Sequence, residues 1–286
     1  MGSRFATPSD ESKGVSVVPN RQSFIAMTGV FWVKDVNSRT GKERFLLFLF
    51  QKLYFCSINR NNMISIEELQ QLKKLGNVPF EAYVLRNMLS HYQSPEKKIL
   101  KLVRDGYIIR MKQGLYVVSP EISGKLLSKE LIANHIYGPS YVSAHYALRH
   151  YGLIPEWVTE ITSVTTRHTR RFETPEGYFS YRQVNSEYFP VGIKMSHDDD
   201  DVNYLIATPE KALCDMIMME PHIQSQSLSA LVTFLEEDMR IDTDELKDMN
   251  RDIIRKCMET GNKKQILANL LKLMERNFSV RLSRHS

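Results

Sequence analysis

The chain has 286 residues, 42% apolar and 25% charged, with only 13 glycines and 11 prolines. That is the composition of a folded globular protein, and it excludes collagen-like, disordered and disulfide-stapled classes. Cys56, Cys214 and Cys257 stand too far apart for a zinc knuckle or a redox CxxC pair, which fits a reducing, cytoplasmic compartment. The net charge of +5 is uneven: residues 1–62 carry +5, 63–120 carry +4, 121–220 carry −5 and 221–286 carry +1. Between 94 and 114 there are six basic and two acidic side chains. A compact basic module beside an acidic one points to a local polyanion site.

Residues 1–23 are polar and aperiodic, and residues 24–62 hold apolar clusters without a sustained period. Two readings fit: an N-terminal extension preceding a true start at Met63, or a poorly patterned strand pair or extra helix. The run Phe45–Phe50, continued by Leu53–Cys56, is about half the ~20 residues of a membrane span and begins too deep for a signal peptide. Neither secretion nor membrane anchorage is expected.

From Ile64 the pattern is regular. Ile64, Leu69, Leu72 and Leu75 predict a helix ended by Gly76, and Phe80, Tyr83, Val84 and Met88 predict a second from near Pro79. A third begins at Ser94-Pro95-Glu96, a cap followed by proline, and stops at Asp105-Gly106. Two β-rich runs, Tyr107–Met111 and Leu115–Val118, then flank the loop Lys112-Gln113-Gly114. Three helices and a hairpin over 63–120 are the element order of a winged helix-turn-helix.

Beyond Ser119-Pro120, helical patterns at 128–137 and 142–151 precede predicted strands at 160–166, 178–184, 192–195 and 204–207. Thr208-Pro209-Glu210 opens another helix. Residues 121–220 thus read as an α+β domain with a mainly antiparallel sheet, and 221–286 as C-terminal amphipathic helices around Leu228–Leu235, Leu246–Cys257 and Ile266–Met274. The overall class is α+β.

In the third helix Ile99, Leu100, Leu102 and Val103 form the expected buried flank, while Lys97, Lys101 and Arg104 recur at i, i+4 and i+7 with Lys98 adjacent. In a helix-turn-helix this helix enters the major groove, where such side chains neutralise phosphates and reach guanine edges. Arg110 and Lys112 stand where a wing would touch the backbone. Lys97, Lys98, Lys101, Arg104, Arg110 and Lys112 are therefore the candidate DNA contacts. A basic helix alone is usually a solvated face; a basic wing immediately after it favours DNA.

Other charged clusters say less. Arg167, His168, Arg170 and Arg171 fall between predicted strands, and a surface loop balancing nearby acid is the simpler reading over a second phosphate contact. His197 with Asp198–Asp201 reads as a solvated hairpin tip, because a hard-metal loop needs interleaved turn residues. Cys214 reads as a small core residue. No HExxH, GxSxG, Walker A or glycine-rich dinucleotide motif occurs, so no enzyme and no cofactor are expected.

The run Lys98–Arg110 leading into Gly114-Leu115-Tyr116-Val117 resembles the winged helix-turn-helix of AbiEi-family antitoxins. Tyr141-Val142-Ser143-Ala144, Tyr151–Glu156, Thr162–Thr165 and Ala207–Leu213 resemble landmarks of that family's second domain, in the same order. The likeness spans roughly 63–220. It implies a type IV toxin–antitoxin, abortive-infection (phage defence) system. Its antitoxin is a transcriptional repressor that binds repeats in its own promoter and counters a nucleotidyltransferase-type toxin, without necessarily forming a stable complex. Double-stranded promoter DNA, with a homodimer or cooperative arrangement on paired half-sites, is the expected partner. Two alternatives remain open: a protein-interaction module working through the acidic 121–220 domain, and a metal-dependent nuclease using the Asp198–Asp201 run.

Overall fold

Helix α1 (Ile66–Leu75) starts on a capping box: the Ser65 hydroxyl accepts from the Glu68 amide at 3.1 Å and Glu68 accepts from the Ser65 amide at 2.8 Å. It ends, as expected, at Gly76, whose φ of 63° suits glycine. This computed structural model describes residues 64–198, 202–221, 223 and 227–284. The extension 1–62 and the proposed start at Met63 lie outside the described residues.

The helix expected from near Pro79 begins later. Phe80 and Glu81 form a short strand, β1, paired antiparallel with Tyr116 and Leu115, and helix α2 covers Ala82–Met88. Helix α3 (Pro95–Arg104) has the predicted bounds with Pro95 in its first turn, although the Ser94 side chain makes no cap bond. Strands β2 (Ile108–Lys112) and β3 (Leu115–Val118) complete a three-stranded sheet of order β1-β3-β2.

Strand β3 is central in that sheet and buried along its whole length. Successive side chains in a strand point to opposite faces, so Tyr116 and Val118 join Leu72, Leu85, Leu89, Ile99, Leu102 and Ile108 beneath α1–α3. Leu115 and Val117, with Met111 of β2, face the other way and enter a second, larger core. One strand thus belongs to two cores.

The second core follows a short helix α4 (Pro120–Ser123) and α5 (Lys129–Ile136), the latter capped by Ser128. Strand β4 (Ser140–Val142) leads into α6 (Ala144–His150), then β5 (Ile161–Thr165), β6 (Arg170–Thr174), β7 (Gly177–Gln183), β8 (Ile193–Asp198) and β9 (Val202–Ala207). The six strands lie in the order β6-β7-β5-β4-β9-β8. The expected mainly antiparallel sheet is mixed: β4/β9 and β5/β7 run parallel, the other pairs antiparallel. Strand β6 was not anticipated, because a sheet-edge strand carrying Arg170, Arg171 and Glu173 on exposed positions lacks the apolar alternation of a half-buried one. Asp199–Asp201, the tip between β8 and β9, lie outside the described residues.

Helix α7 (Pro209–Met219) is buried over most of its length and carries an ion pair with it: Lys211 Nζ lies 3.2 Å from Asp215 Oδ1, both side chains fully buried. The cost of desolvating such a pair is offset only by good partners. Ser143 Oγ and Tyr141 Oη donate to Asp215 Oδ2 at 2.6 and 3.1 Å, and Lys211 Nζ donates to the Tyr188 carbonyl at 3.1 Å and sits against the Tyr188 ring. Gly192 passes so close that a Cβ there would meet Lys211 Cβ at 2.8 Å, which requires glycine. Cys214 is buried, as expected.

The C-terminal elements are not a separate body. Helix α8 (Leu228–Thr233), a π-helical turn (Phe234–Asp238), a 3-10 turn (Glu245–Asp248), α9 (Arg251–Thr260) and α10 (Lys264–Arg284) bury Leu231, Leu235, Leu246, Ile254, Leu267 and Leu270 in the same second core. Among the described residues no helix is long and apolar enough to cross a membrane.

Leu115→Ala opens a cavity under the second core from the shared strand and is expected to cost about 2–5 kcal/mol in denaturant unfolding. Asp215→Asn leaves Lys211 buried without its counter-charge and should cost about 3–5 kcal/mol; the double replacement Lys211→Met/Asp215→Leu should recover part of that loss in the same measurement.

Candidate nucleic-acid interface

Helix α3 turns Ile99 and Leu102 inward and half-buries Val103. Lys97 and Arg104 are exposed on the opposite face and Lys101 is half-buried beside them. Lys97 has no hydrogen-bond or ion-pair partner among the described residues, and Arg104 makes only a 3.5 Å contact to its neighbour Asp105. Leu100, expected in the buried flank, is instead 60% exposed on this outward face. It falls on the far side of the helix from Leu102, and only the sides occupied by Ile99, Leu102 and Val103 meet the core.

Lys98 does not belong to the outward stripe. Its ammonium donates to Tyr92 Oη at 3.0 Å and lies 3.3 Å from Glu68 Oε2, with the Lys98 side chain 12% and that of Glu68 4% exposed. Burial pushes the Glu68 carboxyl up, but the Ser65 amide, the Tyr92 hydroxyl and Lys98 outweigh it and leave the pKa below its ordinary 4.5. Burial works to lower the Lys98 pKa, and Tyr92 with Glu68 reverses this, for a net rise. The residue cross-links α3 to the start of α1, a partner 30 positions away that helix periodicity could not reveal.

The hairpin separates its two basic residues. Arg110 pairs with Tyr116, but the register then slips so that Lys112 pairs with Leu115. The extra residue, Met111, makes a β-bulge, which sets Lys112 on the same side as Met111 and Leu115, toward the second core. Its ammonium donates to the Ile136 carbonyl at 2.5 Å. Arg110 stays exposed and has no partner among the described residues. The hairpin end is also tied down, since the Gly114 carbonyl accepts from the Ala82 amide at 2.8 Å.

The inward turn of Lys112 brings it near Arg167 and Arg170. Burial lowers its pKa, Glu81 raises it, and Arg167 and Arg170 lower it further. Arg167 lies over the Tyr137 ring at 5.5 Å and Arg170 over Phe172 at 5.0 Å, while Tyr137 and Phe172 themselves pack on Tyr181. Neither arginine has a carboxylate partner among the described residues, and His168 between them is exposed. Arg171 differs: Glu160 accepts two of its N–H groups at 2.9 and 3.4 Å. Fixed cations without counter-charge suit an anionic polymer. Strand β6, which carries Arg170, adjoins β2, a contact that the sequence does not signal.

The other chemically suggestive groups converge less. Lys211 and Asp215 are sealed from solvent. Among the described residues no three His, Cys, Asp or Glu side chains gather as a metal site would require. No family model matches the chain, and no curated protein shows significant similarity to it.

The Glu68–Lys98 pair sets Lys98 apart from the exposed Lys97. A carboxylate with a depressed folded pKa contributes stability above its unfolded pKa and loses it as pH falls through the folded value. Glu68→Gln should therefore be less stable than wild type at pH 7, with the difference closing as the pH drops from about 5 toward 3 in thermal melts. Lys98→Ala should cost about 1–3 kcal/mol at pH 7, whereas Lys97→Ala should leave the melting curve unchanged.

Proposed function

We propose that the chain is a duplex-DNA-binding regulator built on a winged helix-turn-helix at residues 63–120. The helix–strand–helix–helix–hairpin order and the β1-β3-β2 sheet support that reading of the module. The observation that carries it is the outward face of α3, where Lys97, Lys101 and Arg104 stand on the side opposite Ile99 and Leu102. A helix presenting cations away from its own core fits the major groove, with phosphates neutralised on either side.

In this reading Lys98 holds α3 in place, and Lys112 fastens the hairpin to the second domain. Arg110 continues the outward charge, and Arg167 and Arg170 add a second contact to the phosphate backbone. By its resemblance to AbiEi antitoxins, the regulator represses its own operon and counteracts a nucleotidyltransferase-type toxin; it acts by binding, not by catalysis. Promoter DNA is its first partner, bound as a dimer or cooperatively on paired half-sites.

Fluorescence anisotropy with the protein's own upstream DNA tests this. Lys97→Glu/Arg104→Glu should weaken binding at least about tenfold and reduce the slope of log affinity against log salt by about 2. Arg167→Glu/Arg170→Glu should weaken it less while also lowering the slope. Unchanged affinity and salt dependence in the first double variant would overturn the assignment.

A further inference from the structure

We infer that Leu100 is a sequence-reading residue of α3, contacting the C5-methyl group of thymine in the major groove. The inference rests on the DNA-binding reading above. At about 100° per residue, Leu100 lies about 40° around the helix from Arg104 and about 60° from Lys97. It is 60% exposed, while Ile99 and Leu102 of the same helix are 4% and 2% exposed. The side chain therefore supports neither core, and its place in the stripe is set one turn from a cation on each side.

Lysine and arginine on such a face bind phosphates of any sequence and donate to guanine acceptors. Neither distinguishes thymine, whose major-groove edge offers an acceptor and a methyl group; only an apolar side chain gains from burying that methyl. Once the flanking lysine and arginine are engaged with the backbone, the branched end of Leu100 is the apolar group carried toward the base edges. Scattered exposed leucines are common and need no role by themselves. Here the leucine occupies the uncharged position of an otherwise cationic, groove-facing stripe.

The test uses the full chain and two versions of its own upstream duplex, one normal and one made with deoxyuridine in place of thymidine, which removes the methyl and keeps base pairing. Wild type should bind the thymine duplex about fourfold or more tightly than the uracil duplex, the value expected for burying one methyl-sized group. Leu100→Ala should bind both duplexes equally, at about the wild-type affinity for uracil DNA. Leu100→Met, which keeps an apolar tip, should retain most of the preference. Thermal melts should match for all three proteins, since the position is exposed and alanine favours a helix. If wild type treats the two duplexes alike, or if Leu100→Ala keeps the preference, the inference fails while DNA binding stands. If wild type binds neither duplex, the DNA-binding reading fails and this inference fails with it.

Discussion

Strand β3 is the constraint on which the described structure depends. Its four residues divide alternately between two hydrophobic cores, Tyr116 and Val118 under α1–α3, Leu115 and Val117 against the second sheet and its helices. A strand buried on both faces cannot rotate or slip by one residue without exchanging both sets of side chains at once. The basic helical module is therefore fixed to the rest of the chain by packing, and the orientation of α3 is set by the same contacts that stabilise the fold.

That constraint changes what the hairpin does. The β-bulge at Met111 sends Lys112 inward to the Ile136 carbonyl, and Gly114 is tied to the start of α2. The short connection has little freedom to reach outward. Positive charge continues on the far side of the junction with Arg167 and Arg170, each seated on an aromatic ring of the second domain. Two domains with opposite overall charge can then present one sign where they adjoin.

The second domain shows the opposite use of charge. Lys211 and Asp215 are held at the centre of the core, one turn apart on α7, with hydroxyls from β4 and the turn after it closing the network. Segments separated by about seventy positions, Tyr141-Val142-Ser143 and Thr208–Asp215, meet there. A network of this kind favours one arrangement of helix against sheet, because any other leaves a buried charge without its partner.

Local chemistry alone determined much of this protein. Gly76, Pro95 and Thr208 set helix ends in the places predicted, and the i, i+4, i+7 spacing of Lys97, Lys101 and Arg104 defined one cationic face. These features depend on neighbours within a turn, so they are legible from order alone. Tertiary structure decided the rest: that Lys98 pairs with Glu68, that a bulge turns Lys112 away from Arg110, that Leu100 faces outward, and that Arg167 and Arg170 stand beside the hairpin. Each of these depends on contacts between residues far apart in the chain, or on a register shift set by the facing strand. Periodicity carries no record of either, since it describes a residue's own element and not the surface that element is pressed against.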